Sequence, residues 1–345
     1  TVVVGLGEFL VTPNGIAVEL HNTKIVFKGF LVGPSLRVWS APHKAAEWPD
    51  GACAFPDKEE EKSGRCGKGG QSPEYARSMY SLLHLVNSSN VVLEGAGGGV
   101  RGRGETFWPV RNKNPNIRGY CLLKIDGSRH VSVGGLKLWD SSMYHLVVMR
   151  SEDVMLTRLD LVGKKSIGAA HNTDGVSVIA SQRVTLLNSV IASGDDHIVI
   201  KENTIGFTAD NVTLIKGKGL AIGSLGERGY GDQVVRDVHF NNINIIGSYY
   251  CARIKTWVGA TGLVDQVSFT NFHCDRVNVG ILIDQQYCPG SQRPMGCSEE
   301  ENKQTIVIDR VMFDNFSGTY RSTLKTERCL GCKAIIYKDI NLSKA

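Results

Sequence analysis

A short phrase recurs along this chain and limits the folds open to it. A polar residue is followed by Val, a spacer and a Leu, Phe, Val or Ile, then by a polar or glycine-rich turn and another short apolar stretch. It occurs at Asn90-Val91-Val92-Leu93, His130-Val131-Ser132-Val133, Asp153-Val154-Met155-Leu156, Arg183-Val184-Thr185-Leu186, Asn211-Val212-Thr213-Leu214, Asp237-Val238-His239-Phe240 and Gln266-Val267-Ser268-Phe269, with Ile306-Val307-Ile308 as the last. The valines are spaced by 40, 23, 30, 28, 26, 29 and 40 residues. Three strands of roughly 4–6 residues with their turns fill a step of this size. The phrase therefore predicts one solenoid rung per occurrence, with loop insertions in the two longest steps. A β-sandwich has closely spaced strands too, but does not repeat one phrase at rung length. Alternating β-branched residues, 39 glycines and almost no 3.6-residue apolar period argue against helices. The expected fold is all-β, a right-handed parallel β-helix forming a single domain over residues 1–345.

A chain of 345 residues, 42% hydrophobic, can bury a large core. No apolar run approaches the roughly 18–20 residues of a membrane span. Thr1-Val2-Val3-Val4 has neither the charged start nor the cleavage site of a signal peptide, so the chain reads as mature and soluble or as lacking its beginning. A net charge of +5 is too small for a dedicated nucleic-acid binder and is compatible with a polyanionic substrate. Neither nucleic acid nor membrane is expected as a partner, and a monomer is expected. Nine cysteines, most in close pairs (Cys53/Cys66, Cys288/Cys297, Cys329/Cys332), favour disulfides and a secreted, extracellular or cell-wall location. The odd ninth leaves at least one thiol free or paired outside the chain. Cys329-Leu330-Gly331-Cys332 has no second Cys pair or His pair with which to hold zinc. Asn-x-Ser/Thr sequons at Asn87, Asn211, Asn315 and Asn341 agree with a glycoprotein.

Residues 40–80 are the least solenoid-like, with Cys53 and Cys66 flanking the charged run Asp57-Lys58-Glu59-Glu60-Glu61-Lys62. They read as a disulfide-closed loop insertion, the charge run being a solvated face. Gly95-Ala96-Gly97-Gly98-Gly99-Val100-Arg101-Gly102 contains a Gly-x-Gly-x-x-Gly spacing, but no helix opens after it and Pro109 follows, so dinucleotide binding is not expected.

The chemistry gathers mid-chain, in Asn172-Thr173-Asp174-Gly175 and Gly194-Asp195-Asp196-His197. Asp174 lies 21 residues before Asp195, about one rung, so a β-helix would set three carboxyls on one face, close enough for their charges to repel. Carboxyls of unequal acidity side by side are the equipment for cleaving a glycosidic bond, one protonating the leaving oxygen while another activates water. The plainer reading is that these aspartates cap strand ends. Arg253-Ile254-Lys255 alternates two cations on one side of a strand, a clamp suited to a sugar carboxylate. Tyr287 reads either as a packed aromatic or as a phenol beside that clamp.

The ordered set Asn172-Thr173-Asp174, Gly194-Asp195-Asp196, Gly217-x-Gly219 with Ile222-Gly223-Ser224-Leu225-Gly226, Arg253-Ile254-Lys255 and Tyr287 resembles glycoside hydrolase family 28, the polygalacturonases of pectin. Order and spacing match from about residue 90 to the end. Ala252–Trp257, Ile283–Cys288 and the Cys329/Cys332 pair are most similar to the plant-type branch. The resemblance implies a pectin-lyase-like β-helix, a pectic polysaccharide as partner, and hydrolysis of α-1,4 bonds between galacturonates by inversion, without metal or other cofactor. It further implies Asp195 as general acid, Asp174 and Asp196 as the groups that hold and activate water, Arg253 and Lys255 as cations gripping galacturonate carboxylates, and Asn172 and Tyr287 as subsite residues.

The sequence departs from the family pattern at two places. Gly217-Lys218-Gly219 carries lysine where the family has histidine. A cation beside Asp195 would favour its ionised form, against the role of an acid, unless Lys218 binds a substrate carboxylate instead. His197 stands where the family has cysteine, and Leu214-Ile215-Lys216 lacks the matching cysteine, so both ends of one family disulfide are gone together. His197 reads either as a spatial replacement for the missing histidine or as a buried, hydrogen-bonded one. Rival functions are a rhamnogalacturonan or other modified-pectin hydrolase and a catalytically silent pectin-binding β-helix; a calcium-dependent pectate lyase shares the fold.

Overall fold

The computed structural model describes residues 1–13, 16–39, 80–111, 119–163, 170–226, 232–288 and 305–345. Strands pair in parallel with partners one rung further along the chain. Val2–Val4 lies beside His21–Phe27, Cys121–Asp126 beside Leu146–Met149, and Leu146–Met149 beside Val176–Ile179. The chain is a right-handed parallel β-helix, as the handedness of strand–crossover–strand connections requires.

One ladder explains the repeated phrase. Thr23, Val91, Val131, Val154, Val184, Phe207, Val238, Val267, Val311 and Ile335 are paired in succession from rung to rung. The residue before each has a positive φ, between 37° at Ala334 and 75° at Gly206. The polar residue of the phrase is thus the left-handed corner that ends one strand and turns the next side chain inward, a conformation Asn and Asp tolerate best.

Two phrases belong elsewhere. Val212 stacks between Ser189 and Ile243, and Val307 against Leu263. Asn211 is left-handed as well, with Asn188, Asn242, Asn271 and Asn315 at equivalent points of neighbouring rungs. These mark a second bend with the same local grammar, so an Asn-Val-x-Leu phrase there is out of phase with the others. The step after Val184 is therefore 23 residues, to Phe207, and the step after Val267 runs 44, to Val311.

Inside, aliphatic lines such as Leu123, Leu146, Val176, Ile198, Leu220, Ala252 and Ile281 fill the helix axis, all of them buried. Toward the C-terminal end the filling becomes aromatic. Phe240, Phe269, Phe313 and Tyr337 stack with centroids 4.8–5.1 Å apart and nearly parallel planes. The glycine-rich stretch serves packing: a Cβ on Gly98 would lie 2.0 Å from the Gly29 carbonyl oxygen.

Cys329 and Cys332 form a disulfide, as expected from their spacing, and Cys121 is buried and free. Cys251 and Cys274 are also joined, across 23 residues, a pairing that sequence proximity did not suggest. The loop insertion expected at 40–80, with Cys53 and Cys66, falls on residues 40–79 outside the described residues, as does Cys297. No described helix is long and apolar enough to cross a membrane.

Candidate active site

One sheet of the solenoid carries the expected residues on successive rungs. Asp174 comes two residues before strand Val176–Ile179, Asp195 immediately precedes and Asp196 opens Asp196–Ile200, and Lys218 precedes Gly219–Leu225. Arg253 and Lys255 lie within Tyr250–Trp257, and Tyr287 ends Gly262–Tyr287. Backbone bonds join these rungs: Gly175 N–H to Asp196 O at 3.0 Å, Lys218 N–H to Asp195 O at 2.9 Å, Tyr250 N–H to Lys218 O at 3.3 Å. One-rung spacing therefore brings the acids together, as the sequence predicts.

Each residue of Asn172-Thr173-Asp174 has a local task. Asn172 adopts a left-handed conformation (φ 61°), and its N–H donates to Asp195 Oδ2 at 2.8 Å. Thr173 Oγ1 donates to Ala170 O and accepts the Gly194 N–H at 3.0 Å, tying this turn to the next one. Asp174 offers its carbonyl to the His145 N–H at 2.9 Å and to His145 Nδ1–H at 3.0 Å.

A bulge shapes the next rung. Asp196 is opposite Gly219 and Ile198 opposite Leu220, so His197 has no ladder partner of its own. The Gly219 N–H donates to His197 Nδ1 at 3.1 Å, and His197 Nε2–H donates to Ile215 O at 3.1 Å. Both ring nitrogens are used by backbone, and burial lowers the pKa of the ring, so His197 is a neutral structural histidine. It does not replace the missing family histidine. The extra residue of a bulge re-aims neighbouring side chains; here it flanks the consecutive aspartates.

Asp196 sits between the clamp cations, with Arg253 Nη2 on Oδ1 and Lys255 Nζ on Oδ2 at 2.9 Å. Burial alone would raise this carboxyl, but the guanidinium and the ammonium overcome burial and hold it well below the usual carboxylate range. Lys218 Nζ lies 2.9 Å from Asp195 Oδ1. Burial opposes its charge, yet Asp195 raises the Lys218 pKa above the ordinary value. Lys218 is thus drawn onto Asp195. Asp174 is the opposite case: burial first, then the charges of Asp195 and Asp196, push it well above the ordinary carboxylate value. All three carboxyls are buried, together with Arg253 and Lys255. Among the described residues, no group of three or more His, Cys, Asp or Glu is arranged to hold a metal ion.

Tyr287 stands beside the clamp, with Lys255 Nζ 5.4 Å from its ring centroid and Trp257 packed edge-on at 5.6 Å. Sequence reasoning missed Tyr250, whose ring faces the Arg253 guanidinium at 4.4 Å. It also missed Arg111, which donates to the His171 carbonyl and, at 3.4 Å, to Asn172 Oδ1. Lys201 was missed as well, a cation whose charge reaches Asp174 and Lys255. No motif announces these residues; a tyrosine three positions before Arg253 was the one available cue.

A polygalacturonase of Persea americana is 32% identical over 280 residues, covering 79% of this chain and 58% of that protein. An exopolygalacturonase of Platanus acerifolia is 31% identical over 259 residues, covering 74% and 64%. The chain thus spans less than two thirds of the length of these relatives. In fold it is similar to an endo-xylogalacturonan hydrolase from Aspergillus tubingensis, with a TM-score of 0.73 at 18% identity over 99% of this chain and 84% of the other. A polygalacturonase from Erwinia carotovora gives 0.65 at 18% identity over 97% and 86%. The family model for glycosyl hydrolases family 28 matches residues 68–345, most of the chain, and the chain belongs to that family.

Proposed function

We propose that this protein hydrolyses α-1,4 bonds between galacturonates of a pectic polysaccharide, with inversion. The observation that carries this reading is the cluster of Asp174, Asp195 and Asp196 at the starts of successive strands, on the face that presents Arg253 and Lys255. The three carboxyls supply the acid and base that hydrolysis of a glycoside requires, with Asp174 pushed toward its protonated form by burial and neighbouring charge and Asp196 held toward its ionised form by Arg253 and Lys255. Arg253 and Lys255 meet substrate carboxylates, Tyr287 and Asn172 line the subsites, and Lys218 brings a further cation to the cleavage point. Family membership and the polygalacturonases among its relatives support this substrate class.

The protein acts outside the cell or in a cell wall, as a glycosylated monomer with one β-helix domain over 1–345 and a loop insertion around 40–80. Two disulfides among the described residues fit an oxidising compartment, and the asparagines of all four sequons are exposed. The test is release of reducing ends from polygalacturonate, with and without EDTA, by the wild type and Asp195→Asn. EDTA-resistant release that the substitution abolishes is the expected result. No release by the wild type would reject the substrate and send the search to rhamnogalacturonan, then to a binding role; EDTA-sensitive release would point to a lyase.

A further inference from the structure

The clamp carries an aromatic edge that the hydrolytic chemistry does not use. Tyr249 and Tyr250 meet at the start of Tyr250–Trp257, with ring centroids 4.7 Å apart and planes tilted by 57°. Tyr249 is 50% exposed, whereas Tyr250 and Tyr287 are half-buried and Trp257 is buried. A single exposed ring means little by itself; the backing and the place of this one give it a use. The Tyr250 ring lies over the Arg253 guanidinium at 4.4 Å, and Arg253 Nη2 is hydrogen-bonded to Asp196 Oδ1. Tyr249, Tyr250, Arg253 and Asp196 thus make one continuous contact from solvent to the acids, which fixes the outer ring relative to them. Arg253 Nε is buried and has no hydrogen-bond partner among the described residues, a donor left for an acceptor that a bound molecule would bring.

The ladder sets the place of the ring. The Lys218 N–H donates to Asp195 O and the Tyr250 N–H to Lys218 O, so Asp195, Lys218 and Tyr250 succeed one another on adjacent rungs. The Tyr249 N–H donates to Gly217 O at 2.9 Å, and Gly217 puts no side chain between the ring and the acids. Two strand spacings, about 9.6 Å along the axis, separate the tyrosines from Asp195. The acids and the clamp cations follow one another along the same axis. A hexopyranose unit is about one strand spacing long. A sugar chain cut at Asp195 and running past Arg253 would therefore bring its second ring beyond the cut to Tyr249.

We propose that Tyr249, backed by Tyr250, is a sugar-stacking subsite for the second galacturonate beyond the cut, on the side of Arg253. This rests on the hydrolase reading above and adds to it a contact that reads the sugar ring rather than its charge. One face of a galactopyranose ring presents the C–H bonds of C3, C4 and C5, an apolar patch that packs on an aromatic face while the hydroxyls keep their contact with water. Because Tyr249 is held in position before substrate arrives, little ordering is lost when the ring docks.

The test measures kcat and KM of the full chain on polygalacturonate for the wild type, Tyr249→Ala and Tyr249→Trp. Tyr249→Ala should raise KM about 5- to 10-fold and change kcat less than about twofold, since the ring lies away from the reacting atoms. Tyr249→Trp keeps a stacking face and should return KM to the wild-type value or below. An unchanged KM in Tyr249→Ala overturns the subsite, as does a fall in kcat at constant KM, or a tryptophan variant no better than the alanine one. A wild type that does not cleave polygalacturonate overturns the hydrolase reading instead. Calorimetric titration with hexagalacturonate then decides the subsite, which falls if wild type and Tyr249→Ala bind it equally or not at all.

Discussion

Asp174 is buried beside two other carboxyls, and ionising it there costs free energy that the unfolded chain does not spend. Its folded pKa is raised, so its contribution to stability is present below the unfolded value of about 3.9 and is lost as pH rises through the raised value. Asp174→Asn should therefore raise the apparent Tm at pH 7 by about 2–5 °C while abolishing cleavage, and the gain should shrink toward zero at pH 4. Scanning calorimetry at both pH values checks this, and an equal gain at both would contradict the account. Lys255 shows the reverse sign. Burial and Arg253 draw it down to about 8 against the pull of Asp196. Its burial penalty is present below pH 8 and fades above, but so does the charge a substrate carboxylate would meet. KM for polygalacturonate should rise roughly 10-fold between pH 7 and 9 with little change in kcat, and Lys255→Arg, charged throughout, should flatten the rise. The acids and clamp cations were legible in the sequence because their residue types and one-rung spacing point to the same chemistry. That Lys218 grips Asp195, that Tyr250 supports Arg253 and that His197 serves the backbone depend on rotamers and on a bulge, which no spacing encodes.

At the level of strands, the rung period was legible but its phase was not. Left-handed corners occur at two bends of a rung, and both are written as a polar residue followed by an apolar one. The phrase at Val212 thus mimics the ladder position that Phe207 occupies. Phe207 escapes the phrase because Gly206, not a polar residue, forms its corner. The same geometry hides the Cys251–Cys274 disulfide: residues 23 apart are neighbours in a solenoid, whereas closeness in sequence points only to the nearer cysteine pairs. The aromatic stack is where these strands concentrate their packing. Phe269 is fully buried with Phe240 at 5.1 Å on one side and Phe313 at 4.8 Å on the other, so truncating it removes ring contacts in both directions. Phe269→Ala should cost about 3–5 kcal/mol and Phe269→Leu about half of that, measured by urea titration. A cost below about 1 kcal/mol for the alanine variant would mean that the stack does not bear on stability.

Among the described residues of the whole molecule, the strands of each rung pair with those of the rungs beside it, so stability is close to a sum over adjacent pairs. Damage at one end should then stay there unless a long-range contact carries it inward. The last strand, Ile335–Lys344, pairs with Val307–Arg328, which in turn pairs with Gly262–Tyr287; Tyr250–Trp257, with Arg253 and Lys255, lies one strand further in. Deleting residues 334–345 would uncover Phe313 by removing Tyr337, stacked on it at 5.1 Å, and would bare the edge of Val307–Arg328. An open apolar edge invites association with other chains. The truncated protein should lose several degrees of apparent Tm and aggregate sooner on warming, yet keep kcat on polygalacturonate within about threefold of the full chain at 25 °C. Initial rates and calorimetry on the same preparation separate the two effects. Lost activity with an unchanged Tm would show that the end of the solenoid communicates with the carboxyls across the intervening rungs, which pairwise stacking does not allow.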